Sequence, residues 1–171
     1  MGLITPQGRD TFCRRVIFPC CEPDGQIVNL YGRSIGTAFP HRLLPRSKGS
    51  LFAWDSVRHF TTVILVEGLF DLAVLWQAGF RNTTCAIGTY LSSAHLAQLS
   101  DPPGRAVYIA FDQDDNQAGQ RAAHQLALHL KGLGFPAHII YLPQGQDPNG
   151  YFVAGATAAD FTACLERAQL L

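Results

Sequence analysis

The chain has 171 residues, 47% of them hydrophobic and 15% charged, with 13 Lys and Arg balanced by 13 Asp and Glu. That composition excludes intrinsic disorder, and a chain of this length buries roughly 70% of its unfolded surface, so its core needs no disulfide or structural metal. No apolar run nears the roughly 20 residues of a membrane span and Met1–Asp10 holds no signal-peptide core, so a soluble, cytoplasmic protein without a membrane partner is expected.

Two β-type runs open the chain, Arg14–Pro19 and Gln26–Tyr31, separated by Pro23-Asp24-Gly25, and the pattern predicts a hairpin. From Gly32 to Asp55 an irregular basic segment follows, interrupted by Phe39, Leu43, Leu44, Leu51, Phe52 and Trp54. Beyond residue 61 strands alternate with helices. Thr62–Val66 has the β-branched content of a strand buried on both faces, and Leu69 to Ala78 follow helical spacing up to Gly79, which suits a helix end. Next come a strand near Thr83–Ile87, a helix near Ser93–Leu99 capped by Ser92 or Ser93, and a strand at Ala106–Phe111. A helix from about Gln117 to Leu133 and a strand at Ala137–Tyr141 complete the series. This order predicts an α/β fold, a parallel sheet flanked by helices with right-handed crossovers. It is preceded by a small basic subdomain that contains the β-hairpin, with the division at residues 1–60 and 61–171.

Charge follows the same division. Residues 1–60 carry eight basic and four acidic residues, residues 61–171 five basic and nine acidic, so one part can face a polyanion while the other gathers cations. The five cysteines form no C-x-x-C pair and the six histidines no i,i+4 pair, which excludes a zinc ribbon and a zincin-type site. The acids of the second part fall where strands end. Glu67 follows the first parallel strand, Asp112 and Asp114 follow the third, Asp147 lies after the fourth, and Asp71 sits one helical turn past Glu67. Ligands of open parallel sheets bind at those ends. Carboxylates crowded there raise one another's pKa, and a hard divalent cation relieves the repulsion. Helix capping is the competing role for Asp71, Asp114 or Asp115. Gly68 lets the backbone turn and approach a ligand.

Val63–Asn82 (VILVEGLFDLAVLWQAGFRN), Ile87-Gly88-Thr89, Phe111–Ala123 (FDQDDNQAGQRAA) and Leu142–Pro148 (LPQGQDP) together resemble the Toprim domain of bacterial DnaG-type primases. Upstream, Arg14–Pro19, Gly32-Arg33-Ser34 and Lys48–Phe52 resemble the end of the polymerase subdomain that precedes it. The resemblance implies a Toprim-like, Rossmann-like sheet and a metal-dependent nucleotidyltransferase. On that pattern the catalytic residues are Glu67, Asp112 and Asp114, and Glu67, Asp71, Asp112, Asp114 and Asp147 hold Mg2+ or Mn2+. Arg33 and Lys48 would guide template or nucleotide phosphates, Arg42 and Arg46 join them as candidate phosphate-binding residues because they share the only dense cationic stretch of the sequence, and Gly68, Gly88 and Thr89 shape the loops. His41 stands where the family usually has lysine, Asn149 where a second acid often follows, and Asp115-Asn116 lengthens the D-x-D to A-G segment.

The implied activity is synthesis of RNA primers on a single-stranded DNA template from ribonucleoside triphosphates, as part of DNA replication. A replicative helicase is an implied partner through regions this sequence does not contain. Without the zinc-binding and helicase-binding domains of such primases, either a catalytic-core fragment or a reduced natural form is expected. Two other readings are a non-catalytic or regulatory nucleic-acid-binding Toprim module and a Toprim metal-dependent nuclease.

Overall fold

The computed structural model describes residues 2–36, 40–113 and 117–171. Two sheets organise them. In the first, β1 (Arg15–Cys21) and β2 (Ile27–Ser34) form the expected hairpin, and the two-residue β3 (Arg42–Leu43) joins β2 to give the antiparallel order β1-β2-β3. The turn residues act as their chemistry implies: Asp24 Oδ1 accepts the Gln26 N–H at 2.9 Å, and Gly25 takes a φ of 85°. Register places Val16 opposite Arg33 and Phe18 opposite Tyr31, so these four side chains share a face. Phe18 packs edge-on against Phe52 and Phe70, with ring centroids at 6.0 and 6.2 Å, which turns that face toward the second sheet.

The second sheet has the order β5-β4-β6-β7-β8. It comprises β4 (Thr62–Val66), β5 (Thr83–Cys85), β6 (Ala106–Ala110), β7 (Ala137–Ile139) and β8 (Gln169–Leu170). The first four are parallel and β8 is antiparallel to β7. Val63 through Val66 are at most 1% exposed, as a strand covered on both faces requires. The expected helices follow their strands as α2 (Leu69–Gln77), α3 (Ser93–Leu99, capped by Ser92) and α4 (Ala118–Gly132). Leu69, Leu72 and Leu75 of α2 pack with Ile64 and Val66 on one side of the sheet. Ala123, Leu126, Ala127 and Leu130 of α4 pack with Val63 and Leu65 on the other.

Three helices were not anticipated: α1 (Trp54–Val57), α5 (Pro148–Val153) and α6 (Ala158–Glu166). The first straddles the end of the segment expected to be irregular, and its Trp54 and Val57 enter the core beside Leu51. Arg105 closes this corner. Its fully buried guanidinium stacks 5.0 Å from the Trp54 ring and donates to the carbonyls of Arg58, Phe60, Leu99 and Asp101. Such complete pairing is what makes a buried charge tolerable. No described helix is long and apolar enough to cross a membrane.

Candidate functional site

The chain leaves β4 toward α2 on one face of the sheet and leaves β6 toward α4 on the other, although β4 and β6 are neighbours. Loops that diverge from adjacent strand ends leave a crevice between them. A cavity of about 360 Å³ opens there, and Glu67, Asp71, Asp112 and Asp147 line it together with Arg33, His41, Lys48, Gly68 and Gly88. Sequence reasoning singled out each of these residues. It missed the apolar part of the lining, Tyr31, Leu43, Leu69 and Ile87, because nothing in their local pattern says which face they take. Of the other expected residues, Arg42 and Arg46 are exposed and outside the cavity, and Thr89 lines a separate groove. Leu43 faces the cavity, and alternation along β3 turns its neighbour Arg42 away. Asp114 lies outside the described residues, as does Asp115, while the N-cap of α4 is Gln117 with a left-handed φ of 57°.

Asp71 is only 5% exposed, and both of its oxygens are engaged. Oδ2 accepts the Gly68 N–H at 3.1 Å, and Oδ1 accepts the Asn149 N–H at the same distance. One carboxylate thereby ties the loop after β4 to the start of α5, which Asp147 caps by accepting the Gly150 N–H. Gly68 itself has an ordinary extended backbone, with φ at −113°. A Cβ is excluded instead by Asp71 Oδ2, which would lie 2.7 Å from it.

Burial, then the charge of Asp147 and more weakly that of Asp112, push the Asp71 carboxyl up to about 7 against the two hydrogen bonds that favour its ionised form. The fold therefore prefers the proton on Asp71. Its contribution to stability is full below the unfolded value near 3.8 and is lost as pH rises through about 7. In chelator, the melting temperature of the native protein relative to Asp71→Asn should fall steadily between about pH 4 and pH 7 and level off above that. A difference that stays flat over that range would show that Asp71 is not under this pressure.

The basic lining is held by contacts of its own. Arg33, on β2, lies 5.3 Å from the centroid of the Phe70 ring, and its Nη1 is 2.7 Å from His41 Nε2. Burial and the adjacent Arg33 and Arg15 lower the pKa of His41, so near neutral pH that position carries no charge in place of the lysine of the resembling family. Lys48 Nζ donates to the Ile87 carbonyl at 2.8 Å. Ile87 has a left-handed φ of 53°, and its N–H meets Cys85 Sγ at 3.1 Å. The Cys85 thiol in turn donates to the Glu67 carbonyl, which also accepts the Gly88 N–H at 3.0 Å. The strand-end turns bearing the acid and the lysine are therefore one bonded unit.

Among the described residues no three His, Cys, Asp or Glu side chains are close enough to hold one ion by themselves. The acids surround the cavity without closing on a point. A cation such as magnesium takes only one or two carboxylates and completes its shell with water and phosphates, while at Asp71 burial first, and then the neighbouring acids, hold the carboxyl in its protonated form. Among the described residues, Glu67, Asp112 and Asp147 line the cavity with carboxyl groups that could hold such an ion.

A family model for the Toprim domain matches residues 62–158. The DNA primase of Aquifex aeolicus (strain VF5) is 31% identical over 154 residues, which cover 84% of this chain and 30% of the relative. The DNA primase of Pseudomonas putida (strain KT2440) is 34% identical over 164 residues, covering 88% and 24%. The chain thus spans less than a third of the length of these relatives. The crystal structure of the Aquifex aeolicus primase, with its zinc-binding and RNA polymerase domains, superposes with a TM-score of 0.78 and 30% identity, covering 95% of this chain and 42% of that one.

Proposed function

Because the chain belongs to the Toprim family, in the form found in bacterial DnaG-type primases, we propose that it is the part of such a primase that joins ribonucleotides on a single-stranded DNA template with Mg2+ or Mn2+. The observation that carries this reading is the cavity at the ends of β4 and β6, which combines four carboxylates with Arg33 and Lys48. A divalent cation bound there would offset the phosphate charge that builds up as the attacking and leaving oxygens exchange. Glu67 and Asp112, on adjacent strand ends, would hold it, and Asp71 keeps the surrounding loops in register. Arg33, its planar fork restrained by Phe70 and His41, suits a phosphate of template or nucleotide, and Lys48 offers a point charge. Ribonucleoside triphosphates are the substrates on this reading.

Incubation with single-stranded DNA, the four ribonucleoside triphosphates and manganese or magnesium should yield short RNA products that vanish in EDTA. Cleavage of the DNA without synthesis would favour the nuclease alternative, and binding without either reaction the regulatory one. Template binding gives a separate expectation. A carboxylate cluster repels a polyanion, so Arg33 and Lys48 must supply the compensating charge. Arg33→Ala and Lys48→Ala should each flatten the salt dependence of single-strand binding by about 0.7 units of log K per unit of log[salt]. Unchanged slopes in both variants would mean that these side chains contact no phosphate.

A further inference from the structure

We infer that His95 is a positioning residue for Lys48, fixing the lysine's backbone so that its ammonium is presented to a phosphate group in the acidic cavity. This deepens the nucleotide reading of that site and rests on it. His95 is a titratable side chain, 5% exposed, outside the cavity and in the first turn of α3. Its Nδ1 faces the Ser92 N–H at 3.4 Å while its own N–H donates to Ser92 Oγ at 3.2 Å, which is a reciprocal helix cap. A glutamate, which has no donor, would serve that purpose alone. The imidazole adds a second nitrogen on its far side, and Nε2 lies 3.3 Å from the Gly49 carbonyl. A neutral ring protonated on Nε2 satisfies both neighbours at once, accepting from Ser92 and donating to Gly49.

Gly49 directly follows Lys48, and the chain around it is fastened residue by residue. Ser47 Oγ accepts the Gly49 N–H at 3.0 Å, and Ser50 donates through both N and Oγ to the Cys21 carbonyl at 2.8 Å. Gln98, one turn along α3 from His95, accepts the Leu51 N–H at 3.1 Å. Gly49 has a φ of 76°, and a Cβ there would lie 2.4 Å from the Cys21 carbonyl oxygen, so the segment runs too close to β1 to carry a side chain at this position. The lysine is thus held at both ends by one part of the fold. Its head rests on Ile87, in the loop that enters α3, and its backbone is bonded through Gly49 to the first turn of α3.

The test uses the chain with magnesium and ATP as probe, and with manganese alone as a control for the carboxylates. His95→Leu should weaken magnesium-dependent ATP binding by about tenfold, the effect of one lost hydrogen bond that orients a charged group. His95→Gln, which keeps one acceptor and one donor, should stay within about threefold of native. In a Lys48→Met background His95→Leu should cause no further loss, and manganese binding should be unchanged throughout. Equal losses in both backgrounds, an equal loss of manganese binding, or failure of glutamine to rescue would overturn the proposal. If the native chain binds no ATP, the nucleotide reading fails. Relaxation of the Lys48 side chain by NMR then decides the positioning role alone. An ordered Lys48 in native and His95→Gln protein but not in His95→Leu upholds it, and no change overturns it.

Discussion

Glu67→Gln should reduce metal-dependent synthesis by about 10³-fold while leaving the protein at least as stable as native in EDTA. The two halves of this expectation have one electrostatic origin. Glu67 lies among Asp71, Asp112 and Asp147 around a single cavity, and removing one charge from such a group relieves repulsion when no cation is bound. On the proposed function the same removal also takes away a metal ligand, which would cost several kcal/mol of transition-state stabilisation. The amide is nearly isosteric, and the backbone carbonyl of Glu67, which receives the Gly88 N–H and the Cys85 thiol, is untouched. Thermal melts in EDTA and in magnesium, beside primer synthesis, check both halves. Magnesium should raise the native melting temperature more than that of the variant. A variant strongly destabilised in EDTA would make Glu67 a structural residue.

The contrast between what sequence reveals and what it hides falls along the line between local and non-local chemistry. Val63–Val66 is legible as a strand because both its faces are buried, so apolar β-branched residues run without interruption. Glu67, Asp112 and Asp147 are legible because a parallel sheet delivers its strand ends to one edge. The helices α5 and α6 carry local signals as well. Asp147-Pro148 is an N-cap followed by proline at N1, and Thr157 with Asp160 forms a reciprocal cap, with the Thr157 N–H to Asp160 Oδ2 at 2.8 Å. By contrast β3 and β8 are two residues long and exist only through pairing with distant partners. Asp71 shows the same limit. Helical spacing places it above Glu67, but nothing nearby says that its second oxygen reaches Asn149, 78 residues away. Its capping role and its place in the acidic lining coexist, so the choice between cap and site posed by the sequence does not arise.

Gly119→Ala should lower the melting temperature by about 3–10 °C and weaken manganese binding, whereas Gly132→Ala in the same helix should raise it slightly. On helix propensity alone both changes are favourable, because alanine is preferred to glycine in a helix by about 1 kcal/mol. Their surroundings reverse the first. A Cβ on Gly119 would lie 2.4 Å from the Asp112 carbonyl oxygen and 3.2 Å from Asp112 Cβ, while one on Gly132 would meet nothing within 4 Å. Relief at position 119 requires α4 and the end of β6 to separate by about 1 Å. Forcing such a shift in a packed interior costs about 1–3 kcal/mol beyond the propensity gain, and each kcal/mol corresponds to about 2–4 °C in a chain of this size. The residue displaced is Asp112, whose position beside Glu67 the cavity depends on. The glycine after Ala118 therefore belongs to the carboxylate site although it carries no functional group: it allows the first turn of α4 to rest on the backbone of the acid. A melting temperature unchanged by Gly119→Ala, or a fall in stability with native manganese affinity, would show that the position of Asp112 is set elsewhere.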